Sequence, residues 1–178
     1  MHPAMAIRQL FVVIALAASV ACGYSLAGRG TFLPAHIKSI GVPTFTNLTS
    51  VADIDRRITD RVRAELVGRG RYKVEITNTG VDAVINGEIT SINFMPSAWD
   101  DQRQATRYVL VLTAKIEFRD VASNKVLWSN PSLQFREEYS DIGRATDPNA
   151  FFGQDVNALD RVAIEFARTL VSAILEAF

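Results

Sequence analysis

Thr106-Arg-Tyr-Val-Leu-Val-Leu-Thr-Ala-Lys-Ile-Glu-Phe-Arg119 is the stretch that decides the fold class. Successive side chains of an extended chain point to opposite sides, so Tyr108, Leu110, Leu112, Ala114, Ile116 and Phe118 share one face. The other face carries Val109, Val111 and Thr113, then Lys115, Glu117 and Arg119, passing from apolar to charged along its length. One wholly apolar face and one mixed face predict a strand of an antiparallel sheet covered on one side only.

The neighbouring segments extend this sheet. Asp120–Lys125, with Ser123-Asn124, reads as a hairpin turn, and the chain returns as a strand from Val126 to Tyr139. Pro131 has no N–H to give to a ladder, which puts that strand at an edge or breaks it with a bulge. Upstream, Ala83–Phe94 is a strand whose apolar parity shifts from Ile85 and Ile89 to Ile92 and Phe94, predicting a bulge near Thr90 or Ser91. Shorter strands are expected at Ile37–Val42 and Tyr72–Thr77, the latter followed by a turn ending at Gly80.

Two helices complete the reading. Ser50-x-x-Asp53 has the pattern of a capping box, after which Ile54, Ile58, Val62 and Leu66 form a stripe that ends at Gly68 and Gly70. From about Asp155 a broad apolar face of Leu159, Val162, Phe166, Leu170 and Ile174 predicts a helix of ~24 residues, roughly 36 Å long. The expected architecture is α+β, with two helices packed on one face of a largely antiparallel sheet of about four or five strands.

The N-terminus reads as an export and anchoring signal. Arg8 precedes the apolar run Leu10–Ala18, which has signal-peptide length and is too short to span a bilayer. Translation starts at Met1 or Met5. Ser19-Val20-Ala21-Cys22 resembles a bacterial lipobox, with Ser19 where leucine is usual. The chain contains 1 cysteine, so no intramolecular disulfide forms, and its place directly after the leader suits acylation of Cys22. The expected organisation is a lipoprotein signal peptide at 1–21, a lipidated arm at 22–36 and a single α+β domain at 37–178.

Charge and composition exclude several functions. With 19 basic and 19 acidic residues, nothing favours a nucleic-acid partner. Of the 2 histidines, His2 lies in the leader and His36 reads as a loop side chain. With Cys22 acylated, no Cys/His pair or thiolate metal site is available. The sequence has no nucleophile elbow and no phosphate loop. Glu137 and Glu138 are adjacent on a strand and point to opposite faces, so they cannot act as an acid/base pair. The expectation is a binding protein with no enzymatic activity, no cofactor and no metal.

Cys22-Gly-Tyr-Ser-Leu26 followed by Gly28-Arg-Gly30 resembles the opening of the lipopolysaccharide-assembly lipoprotein family, LptE. Leu33-Pro34, the strand Ile37–Val42, Pro43-x-Phe45, Asn47 and the terminal-helix pair Asp160-Arg161 continue the likeness. The resemblance implies a lipoprotein, anchored in the outer membrane through its N-terminal lipid, that plugs a large β-barrel partner, LptD, and helps insert lipopolysaccharide into the outer leaflet. Gly23 in place of aspartate agrees with outer-membrane sorting in that family. A regulator of a cell-wall synthase, or a component of another secretion pore, is the alternative.

Strand direction suggests the ligand site. In an antiparallel meander, the connections Met95–Ala105 and Ser140–Asp155 share one end, away from the Asp120–Lys125 turn. That end would gather Arg103, Arg107 and Arg144 beside Trp99, Phe151 and Phe152. Cations beside apolar side chains suit a lipid with phosphates on a sugar head, and the resemblance likewise implies lipopolysaccharide contacts through basic side chains in these connections.

Overall fold

The computed structural model describes residues 33–140, 147–155 and 157–178. In chain order these form β1 (Ser39–Gly41), β2 (Thr46–Asn47), α1 (Ile54–Gly68), β3 (Lys73–Glu75), β4 (Ala83–Trp99), β5 (Ala105–Asp120), β6 (Val126–Tyr139), α2 (Pro148–Gln154) and α3 (Ala158–Leu175). The class is α+β, as expected. The described sheet has 6 strands in the order β3-β1-β4-β5-β6, with β2 also paired to β4.

The antiparallel meander β4-β5-β6 dominates this sheet. Leu110, Leu112, Ala114, Ile116 and Phe118 of β5 are all buried, on the face that carries the helices. The ladder slips between Ile89 and Ser91, leaving Thr90 as the bulged residue, and the Thr90 hydroxyl donates to the Thr113 carbonyl at 3.1 Å. This puts Ile92 and Phe94 back on the core side. β6 is the edge strand and slips between the partners of Ala114 and Ile116, around Pro131. Both consequences of proline are therefore present, because an edge position and a bulge each remove the need for its missing donor.

The sheet is largely antiparallel, as expected, but its other side is mixed. β1 pairs in parallel with both β3 and β4, and β2 also pairs in parallel with β4. Chain direction requires a crossover at each parallel step. The β1-to-β3 crossover contains α1; the β3-to-β4 crossover is only the short segment 76–82 passing over β1. Gly41 makes the second one possible: a Cβ there would lie 2.1 Å from the Thr77 carbonyl oxygen.

The helix ends also differ from expectation. Asp53 sits at the N-cap of α1 with φ 61° and no side-chain capping bond, so the capping box does not form. Ser50 instead accepts a hydrogen bond from the Asn149 side chain at 2.9 Å. The terminal helix is shorter than expected, and a separate short helix precedes it within the expected connection Ser140–Asp155. Asp147 caps α2 by accepting from the Ala150 N–H, with Pro148 in its first turn, and Asp155 closes α2 before α3 starts. At 18 residues, α3 is about 27 Å long. α3 packs on α1 and is clipped to it where Asp160 accepts from Arg57 at 2.8 Å and Arg69 donates to Ser172 at 3.1 Å.

Candidate functional site

The long hairpin β4–β5 has two unlike ends. At the lower end, beside the 121–125 turn, polar side chains are spent on the fold. The Asp82 carboxylate accepts from the Lys38 N–H at 2.9 Å, the Ser39 N–H at 2.8 Å and the Ser39 hydroxyl at 2.8 Å. These bonds favour the ionised form and hold its pKa below the usual carboxylate range. Asp120 is buried and its pKa is likewise lowered, first by the Ser123 N–H at 2.9 Å and then by His36, whose Nε2 lies 2.5 Å from it. His36 is thus a fastener between the chain entering β1 and the hairpin, consistent with a loop side chain and more specific than one.

At the upper end the strands run further than their patterning suggests. Most of the expected loop Met95–Ala105 is strand, and only residues 100–104 turn. Asp100 builds that turn: its carboxylate accepts from the Gln102 N–H at 2.9 Å and the Gln104 N–H at 2.8 Å, and its N–H donates to the Gln104 carbonyl at 2.9 Å. The last residue of β6, Tyr139, pairs with Tyr108. Residues 97–107 therefore project beyond β6 as a two-stranded ribbon.

This ribbon carries two of the three expected cations. Arg103 stands exposed at the turn with φ 60°, in the left-handed region. Arg107 is exposed on β5 opposite Ala98 and lies 3.5 Å from the Glu138 carboxylate. Arg144 and Cys22 both lie outside the described residues.

The expected aromatics divide. Trp99 is 60 % exposed on the ribbon, whereas Phe151 and Phe152 are buried. Phe151 meets Phe94 and Tyr139 edge-on, each at 5.0 Å between ring centres, and Phe152 at 5.3 Å. Helix α2 thus closes the upper end of the core with these two rings, which removes them from any surface site. Tyr139, half-buried in this cluster, has its hydroxyl pKa raised by burial and by Glu137, whose carboxylate accepts from it at 3.0 Å. Met95, 56 % exposed on β4, is the apolar side chain that sequence reasoning missed. It lies opposite Val109, and a β4 ending at Phe94 left it in a loop.

The sheet face away from the helices has no described element packed along its meander. It is polar where Asn86, Glu88, Lys115, Glu117 and Thr46 surround a shallow depression. Among the described residues no group of three or more His, Cys, Asp or Glu could hold a metal ion, and no helix is long and apolar enough to cross a membrane.

Comparison with known proteins gives a fold and a family. The structure is similar to PelC from Paraburkholderia phytofirmans, solved as a dodecamer, with a TM-score of 0.52 at 17% identity over 84% of this chain and 93% of that one. It is also similar to protein XCC0632 from Xanthomonas campestris, with a TM-score of 0.51 at 12% identity over 82% of this chain and 90% of that one. Rare lipoprotein B from Shewanella oneidensis aligns at 15% identity over 75% of this chain and 92% of that one, with a TM-score of 0.49. These likenesses concern the fold. No curated protein matches the sequence significantly. The model of the lipopolysaccharide-assembly family LptE matches residues 37–174, from just ahead of β1 to within a residue of the end of α3, and the chain belongs to that family.

Proposed function

We propose that this protein is a non-enzymatic lipoprotein of the outer membrane, held there by acyl chains on Cys22, that plugs a large β-barrel translocon and helps it place lipopolysaccharide in the outer leaflet. Family membership carries the reading. The molecule supports it with a helix-free sheet face that is mixed, apolar at Val109 and Val111 and polar around Asn86, Glu88, Lys115 and Glu117, a surface suited to rest against the wall of a barrel lumen. The upper ribbon supports it with exposed Arg103 and Arg107 beside an exposed indole. Arginine forks match phosphate oxygens, and the sugar head of lipopolysaccharide is phosphorylated. Arg144 joins these two as the third proposed contact.

The test is affinity isolation of the chain from detergent-solubilised outer membrane. A stoichiometric large barrel protein is the expected companion; an inner-membrane synthase in its place would overturn the reading. In the same preparation, changing Arg103, Arg107 and Arg144 together to glutamate should reduce bound lipopolysaccharide and leave the barrel in place. Undiminished lipopolysaccharide in that variant would remove the three arginines from the site.

A further inference from the structure

We draw no further inference here: the strongest candidate, the outer edge of β3 at the end of the described sheet with the exposed Ile76 beside it, is a short sheet edge, and nothing in the structure shows what covers it.

Discussion

The two ends of the β4–β5 hairpin use the same kinds of residue for opposite purposes. At the lower end Asp82, Asp120 and His36 satisfy backbone or each other, and the connections to β1 and β6 close around them. At the upper end the strands outrun every neighbour, and Trp99, Arg103 and Arg107 are exposed there. Burying an apolar group is favourable, so a sequence that keeps a tryptophan exposed on a rigid turn forgoes stability there. Residues that contribute little to folding in an otherwise economical structure are where binding is to be sought.

Substitutions at the two ends sharpen this contrast. The largest effect is expected just beneath the ribbon, where α2 closes the core: Phe151→Ala should cost about 3–5 kcal/mol in a urea titration. Trp99→Ala, a similar truncation one layer higher, should stay within about 0.5 kcal/mol. If the two losses were comparable, the ribbon would be part of the core and its indole no longer available to a ligand.

At the lower end, Gly41→Ala places a methyl group 2.1 Å from the Thr77 carbonyl, and backbone must move to admit it. A loss of about 1–3 kcal/mol is expected from this overpacking. An unchanged denaturation midpoint would mean that the 76–82 crossover does not pass over β1.

The smallest expected effect is on pH dependence. Asp82 and Asp120 have pKa values lowered by folding, so between the folded and ordinary carboxylate values the unfolded chain binds more protons. Their stabilisation is complete above the ordinary value and is lost as pH falls through the folded one. The denaturation midpoint should therefore decline below about pH 4, and Asp82→Asn should make that decline shallower. An identical acid profile in the variant would show that Asp82 does not fasten β1 to β4.

Patterning within segments was legible because strand and helix periods act locally. The core face of β5, the Thr90 bulge, the edge position of β6 and the α1 stripe all follow from residues within one or two turns or pleats of each other. The same holds for antiparallel order, since short hairpin turns leave the chain no other route. The shared end of two connections followed from that order and brought Arg103, Arg107 and Trp99 to one place.

What needed the tertiary structure were choices among locally equivalent states. Nothing local in Ser39–Gly41 or Lys73–Glu75 distinguishes parallel from antiparallel pairing; the α1 crossover and the space over Gly41 decided it. The stretch Ser140–Asp155 reads as a connection, but Asp147 and Pro148 start a short helix within it that turns Phe151 and Phe152 into the core. Ser50 had the pattern of a cap and was taken by Asn149, distant in sequence. The sequence by itself determined which residues alternate, pair and face inward, because those depend on neighbours in the chain. Which aromatic is left for a ligand was decided by the folded molecule alone, because burial depends on what arrives from elsewhere.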